Sequence, residues 1–282
     1  MLKVLKSGFY STIQDEGRFG FRIYGVPVSG AMDKYSSRFA NALLGNADNA
    51  AFIEMTMIGG VFQFAKPTII AISGANMNPQ LNGKSVQMNS PIVINANDIL
   101  SFGRAVVGFR TYLAIKDGFK TELVLNSRSQ FKSITENSTI QKGDELSYKS
   151  SPVTFEKFHA SVKYDDSVIA DNTLEAFAGP EFSALKNSEK ELLFENDFSV
   201  SSLNNRMAYQ LEPLLKNNLD SILTAPVLPG TVQLTPQGNL IVLMRDCQTT
   251  GGYPRILQLT ENAINILSQK TMGNTVKIRL KE

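Results

Sequence analysis

The stretch Leu240-Ile241-Val242-Leu243-Met244-Arg245-Asp246-Cys247-Gln248-Thr249-Thr250-Gly251-Gly252-Tyr253-Pro254 carries the pattern from which the fold is read. A short apolar run, Leu240 to Met244, stops abruptly and a polar, glycine-rich loop follows. Aliphatic side chains suit a pleated surface, whereas Gly and Pro end it. The same pattern recurs outward along the chain, where Thr68 to Ser73, Pro91 to Asn95, Tyr112 to Ile115, Val227 to Leu234 and Thr275 to Leu280 read as strands. Asn82-Gly83, between Leu81 and Lys84, predicts a hairpin turn, because both residues accept the positive φ such a turn needs. The chain is expected to be mainly β.

Two helices are expected. One spans about Ala31 to Leu44, with Ser29 as N-cap and Gly45 just past its end. Its apolar positions Met32, Tyr35, Phe39 and Leu43 follow the helical repeat and would cover the sheet. The other begins near Pro180, a favoured first-turn residue, and continues to about Phe194, burying Phe182, Leu185, Leu192 and Leu193. Between Asn126 and Asp166 Ser, Lys, Thr and Glu dominate, which places a loop-rich junction there. Thr12-Ile13-Gln14 and Thr231-Val232-Gln233 echo one another on either side of it, in keeping with two subdomains of about 1–150 and 151–282.

Composition narrows the function classes. With 43% hydrophobic and 19% charged residues, the 282-residue chain can bury a substantial core. The 28 basic and 26 acidic residues leave a formal charge of +2, too balanced for a nucleic-acid footprint. Cys247 is the one cysteine, so no internal disulfide is available and a reducing cytoplasm is the expected compartment. His159 is the one histidine; it stands in a polar stretch, and no zinc-ligand cluster or Ser-His-Asp grouping is expected. Met1 to Tyr10 lacks the apolar core of a signal peptide, and no run approaches the roughly 20 apolar residues of a membrane helix. A soluble protein with no nucleic-acid or membrane partner is expected.

Four phrases carry polar side chains suited to chemistry. In Gly8 to Arg18, Gln14 offers a donor and an acceptor, Asp15 a carboxylate and Arg18 a planar fork for carboxylate or phosphate. A plain turn, in which Asp15 bonds nearby amides and Arg18 pairs with it, accounts for the same residues. Gly25 to Asp33 is a loop feeding a helix start, able to present amides to an anion; Asp33 also suits the helix dipole. Glu54, in an apolar run, needs a partner such as Arg18 or Arg38, or a function. In the opening stretch, Asp246, Thr249, Thr250, Gly251, Gly252 and Tyr253 gather at a strand end, where rigid scaffolds often place reactive groups. Gly83-Lys84-Ser85 imitates the end of a phosphate loop, but Asn78 stands where the earlier glycine belongs.

Taken in order, these phrases resemble the biotin-dependent carboxyltransferase domain family, which includes the allophanate hydrolase subunit 2 proteins and the carboxyltransferase part of urea carboxylase. Further carriers are Ser73-Gly74-Ala75, Gly108 to Ala114, Asn126-Ser127-Arg128-Ser129, Asn205-Arg206-Met207-Ala208-Tyr209 and Pro229 to Gln233. Asn126, Ala208 and Pro213 depart from the family pattern at positions where it has glycine. The resemblance implies a cyclophilin-like antiparallel β-barrel architecture, with two linked barrel-like subdomains and a few short helices. It also implies the role of a C subunit in an ATP-dependent 5-oxoprolinase, paired closely with a B subunit and completed by an A subunit. The substrate would be a small cyclic amide, with ATP bound at a site shared with or supplied by a partner.

By the same analogy, Arg206 and Arg18 would bind the anion, and Gln14 and Gln233 would orient the amide. Asp246 would act as the acid–base or orienting group, with backbone amides of Thr249 to Gly252 as oxyanion donors. Asp15, Asp33, Glu54 and Tyr253 complete the expected binding set. Two other functions follow from the resemblance: carboxyl transfer to urea or a similar amide from biotin carried on another protein, and regulatory binding of a kinase-inhibitor-like partner.

Overall fold

Alternation of apolar and polar residues along short strands builds two sheets around one core in the first part of the chain. In the computed structural model, which describes residues 1–151 and 162–281, the chain forms two compact units, Met1–Arg18 with Asp33–Ile169, and Phe19–Met32 with Ala170–Glu282. In the first unit, a six-stranded sheet runs in the order Glu145–Leu146, Leu2–Lys6, Val61–Phe64, Ile99–Ser101, Gln80–Leu81, Lys84–Ser85. A five-stranded sheet runs Tyr10–Gln14, Phe52–Thr56, Val107–Ile115, Thr68–Asn76, Pro91–Ile94. Leu2, Val4, Phe62, Phe64 and Leu100 from one sheet share a core with Ile13, Ile53, Ile70, Ile72 and Leu113 from the other. Strands Phe52–Thr56 and Thr68–Asn76 lose the two-residue burial rhythm. Helix Lys34–Leu43 lies against Thr68–Asn76 and Val107–Ile115, so both faces of that sheet are covered.

Tyr10–Gln14 is an edge strand, and an uncovered edge exposes backbone groups to non-native pairing. Here the loop segment containing Gln130 covers it. The Gln130 amide donates to the Ile13 carbonyl at 2.9 Å, and its Oε1 accepts from the Ile13 amide at 2.9 Å. The Ile140 amide donates to Ser11 O at 2.8 Å.

The second unit is a closed seven-stranded barrel in the order Thr173–Ala178, Arg255–Leu259, Thr231–Leu234, Leu240–Leu243, Ala208–Glu212, Asp197–Asn204, Thr275–Leu280. All its pairings are antiparallel except the closing one, Thr173–Ala178 with Thr275–Leu280. Leu174, Phe198, Tyr209, Leu211, Val232, Leu240, Val242 and Leu257 fill it. Helix Glu261–Ser268, not expected from the sequence pattern, is capped by Thr260 Oγ1, which accepts from the Ala263 amide at 3.2 Å.

The mainly β architecture and the Asn82-Gly83 hairpin stand, with φ of 50° and 79° at the turn. Barrel closure is seen in the second unit; the first keeps two open sheets. The first helix starts later than expected, at Lys34 rather than Ala31, because Asp33 and not Ser29 caps it. Ser29 has φ 59° and Met32 packs in the core of the second unit, so neither joins the helix. The expected helix from Pro180 is broken at Leu185, which is extended at φ −71° and ψ 138°; a short 3-10 turn precedes it and the helix proper is Asn187–Glu195. Leu192 is 47% exposed, against expectation. Val227–Gly230 is not part of the barrel strand, since Pro229 lacks an N–H and Gly230 turns at φ 89°. Phe19–Met32, early in sequence, groups with the second unit, and the main division falls after Ile169. His159 lies outside the described residues. Among those described, no helix is long and apolar enough to cross a membrane.

Candidate functional site

In the first unit, the edge strand delivers Gln14 and Asp15 to a turn. Asp15 is buried and its carboxylate accepts four hydrogen bonds, from the Gly17 amide at 2.9 Å, Ser127 Oγ and Ser129 Oγ at 2.7 Å each, and the Arg128 amide at 2.6 Å. Arg18, fully buried, donates from Nε to Val124 O at 3.0 Å and from Nη2 to Ser129 O at 2.8 Å. Gln14 Nε2 donates to Thr12 Oγ1 and to Gln130 O. The turn reading therefore accounts for Asp15, and Arg18 ties the 124–130 loop to the sheet through these bonds. Ser127 and Ser129, from the Asn126 to Ser129 phrase that carries the resemblance, are the side-chain partners of Asp15. Asn126 has φ 63°, which asparagine tolerates nearly as glycine does, so the departure from the family pattern preserves the turn.

Asp33 and Glu54 belong to a second buried network of this unit. Asp33 accepts from the Ser36 amide at 3.0 Å and from Ser36 Oγ, which also meets Tyr164 Oη at 2.6 Å. The Asp33 amide donates to Tyr112 Oη at 2.8 Å. Glu54, paired across the sheet with Tyr112, sits 3.9 Å from Arg110 Nε; Arg38, one of the partners expected for it, forms a bidentate pair with Glu16. Burial, then the charges of Glu54 and Asp33, raise the Tyr112 phenol well above its ordinary pKa, so it stays protonated.

In the second unit the polar loop begins where strand Leu240–Leu243 ends. Arg206 and Asp246, both buried, form a bidentate pair, Nε to Oδ2 at 2.7 Å and Nη2 to Oδ1 at 3.0 Å. Arg206 Nη2 also donates to Gly30 O at 2.7 Å, and the Asp246 amide donates to Arg206 O at 2.9 Å. Arg245 donates to Met32 O at 3.3 Å and to Glu261 and Asn265, while the Ser29 amide donates to Arg245 O. These contacts stitch residues 29–32 to the strand end and explain why that segment belongs to this unit.

Beyond Asp246 the loop is pinned by its carbonyls. Thr249 O accepts from the Val227 amide and from Arg22, and Gly252 O accepts from the Ile222 amide. Thr250–Gly251 pairs with Ala225–Pro226. Gln233 is buried and donates from Nε2 to Tyr253 O at 3.4 Å. A Cβ on Gly251 would lie 2.4 Å from Gln233 Nε2, so glycine is needed for this approach. Thr250 is exposed and Tyr253 is 38% exposed, leaving both accessible to a ligand. Cys247 is buried, which pushes its thiol up to about 11 despite the nearby Arg22 and makes it a poor nucleophile near neutrality.

The expected residues thus divide between the units. Gln14, Asp15, Arg18, Asp33 and Glu54 lie in the first; Arg206, Gln233, Asp246 and Thr249 to Tyr253 lie in the second. Within the second, the structure brings Arg206 to Asp246 and Gln233 to Gly251 and Tyr253. Arg22, Arg110 and Tyr112 were not anticipated; for each, the only local signal was a polar group inside an apolar run.

A family model for the carboxyltransferase domain, subdomain A and B, matches residues 24–280. The C subunit of the 5-oxoprolinase of Escherichia coli (strain K12) is 32% identical over 98% of this chain and 90% of its own length. Urea amidolyase of Lachancea kluyveri is 45% identical over 130 residues, 46% of this chain and 7% of that protein. The solved structure of the K. lactis urea amidolyase superposes with a TM-score of 0.87 at 26% identity, covering 98% of this chain. This chain spans 18% of that much longer one.

Proposed function

This chain belongs to the family of carboxyltransferase domains, subdomain A and B, and from that membership we propose that it is the C subunit of a 5-oxoprolinase complex. The observation that carries this reading is 32% identity, over nearly the full length of both chains, to a bacterial protein of that name. The complex would include B and A subunits and convert 5-oxoproline to glutamate with hydrolysis of ATP. A reducing cytoplasm suits a chain whose one cysteine is buried and unpaired.

Among the described residues, the one phrase that imitates a phosphate loop does not form one. Gly83-Lys84-Ser85 lies in a hairpin rather than between a strand and a helix, so we assign ATP to a site shared with or supplied by a partner. This chain's contribution is to hold the cyclic amide. The bidentate bonds from Arg206 engage both oxygens of Asp246, which suits Asp246 to orienting Arg206 rather than to taking a proton. Gln233, fixed against Gly251, would orient the amide, and the N–H groups of Thr249 to Gly252 would face the developing oxyanion. The urea amidolyase similarity supports a second reading, carboxyl transfer to an amide from biotin borne by another protein.

Glutamate formation from 5-oxoproline and ATP, with each subunit omitted in turn, tests the proposal. Glutamate should appear only when this chain is present. With Asp246→Asn, an orienting role predicts a loss of about 10-fold, whereas a general base predicts roughly 10²- to 10⁴-fold. A stable, complete complex that makes no glutamate would refute the oxoprolinase reading.

A further inference from the structure

The loop that follows strand Leu240–Leu243 is held as one half of a very short ribbon, Ala225–Pro226 against Thr250–Gly251. A two-stranded ribbon of this length is at best marginal on its own, so its shape must be imposed from outside. Two guanidinium groups do so, on consecutive carbonyls. Arg255 Nη1 donates to Pro226 O at 3.0 Å, and Arg22 Nη2 donates to Val227 O. Arg22 Nη2 also reaches Thr249 O at 3.4 Å, on the facing side, so a single nitrogen bridges the two sides of the ribbon.

The two arginines differ in charge balance. Arg255 forms a bidentate pair with Glu181, which neutralises it. Arg22 is bonded to carbonyls and makes no ion pair among the described residues, so its charge is uncompensated. That charge reaches the start of the loop. Burial dominates at the Cys247 thiol, and Arg22 is the largest influence opposing it there.

Register then decides what the peptide between Thr249 and Thr250 can do. Thr250 lies opposite Pro226, which has no N–H, so the ladder bonds are made by their neighbours. The Val227 amide accordingly donates to Thr249 O at 3.1 Å, and Pro226 O is turned outward to Arg255. By the same alternation the Thr250 N–H points out of the ladder, at an exposed residue. Thr249 O, at the other end of that peptide, accepts two hydrogen bonds, one of them from a cation. Such bonding polarises the peptide and makes its N–H a stronger donor.

We infer that Arg22 is a positioning residue: through the Thr249 carbonyl it fixes and polarises the peptide whose Thr250 N–H donates to the developing oxyanion. The oxyanion's identity rests on the oxoprolinase reading; the hold of Arg22 on the ribbon does not.

The test uses the reconstituted complex with Arg22→Ala and Arg22→Lys. Arg22→Ala should lower kcat roughly 10-fold, less than the loss of about 10²- to 10³-fold when an oxyanion donor itself is removed. KM for 5-oxoproline and for ATP should change little. Arg22→Lys, which keeps a charge beside Thr249 O, should recover most of kcat. A merely structural arginine would instead raise both KM values as kcat falls and leave the lysine variant equally impaired. That pattern, or an unchanged kcat in Arg22→Ala, would overturn the inference. If the wild-type complex makes no glutamate, the oxoprolinase reading fails, and hydrogen exchange on this chain decides separately. Faster exchange at Val227 in Arg22→Ala, with barrel strand Arg255–Leu259 unaltered, supports the hold of Arg22 on the ribbon. Equal rates at Val227 refute it.

Discussion

Asp15, Arg206 and Cys247 show how burial assigns a residue's role. A buried carboxylate is tolerable only when its oxygens are satisfied, and Asp15 and Asp246 meet that need in different ways, one from amides and hydroxyls, the other from a guanidinium. For Cys247, burial outweighs the pull of Arg22, so its folded pKa rises from 9.0 to about 11. A raised folded value means that the folded state favours the thiol, and the stability linked to it is present below pH 9 and lost as pH rises to about 11. A shift of that size corresponds to roughly 2–3 kcal/mol. Denaturant titrations from pH 8 to 11 should show a steeper loss for the wild type than for Cys247→Ala. Tyr112, shifted in the same direction, will leave part of the slope in both. Equal slopes would mean that the thiol is hydrated in the folded state.

Among the elements, the edge strand Tyr10–Gln14 illustrates what a strand's pattern leaves undetermined. Its side chains are almost wholly buried, yet its ladder has a neighbour on one side only. The cover comes from Gln130, whose side chain and backbone both bond Ile13 across 117 residues. Gln130→Ala should cost about 1–2 kcal/mol by leaving the Ile13 amide without its acceptor. Hydrogen exchange at Ile13 should accelerate while that of the central strand Val107–Ile115 stays protected. Unaltered exchange at Ile13 would show that another group closes the edge. The helices teach a related lesson. Capping decided that the first begins after Asp33, and Leu185, extended between two helical pieces, divided the second. Helix Glu261–Ser268 had a readable start in Thr260 and readable apolar positions at Ala263, Ile264, Ile266 and Leu267. Adjacent strand-like runs obscured it, because a short apolar segment fits either period.

At the scale of the molecule, each unit has its own core, but the second is assembled from two distant pieces of chain. Arg206 and Arg245 both donate into residues 29–32, so the barrel sequence alone would leave two buried guanidinium groups short of acceptors. A fragment of residues 170–282 is therefore expected to melt without a cooperative transition, or well below the full chain. Adding a peptide of residues 19–32 in trans should restore part of the transition in calorimetry. A fragment as stable as the full chain would show that these bonds are dispensable.

Local chemistry determined much of this protein. Alternating apolar residues specified strands, Asn82-Gly83 specified a hairpin, and the polar phrase after Leu240–Leu243 marked a loop at a strand end. These features depend on residues within a few positions of one another. Only the tertiary structure decided that Glu54 faces Arg110 and that Arg206 is committed to Asp246. It alone moved Phe19–Met32 into the second unit and closed one set of strands while leaving the other open. The reason is physical. A buried charge must find its partner wherever the folded chain brings one, here 40 residues away for Asp246 and 176 for Gly30, and local propensity carries no information over such separations.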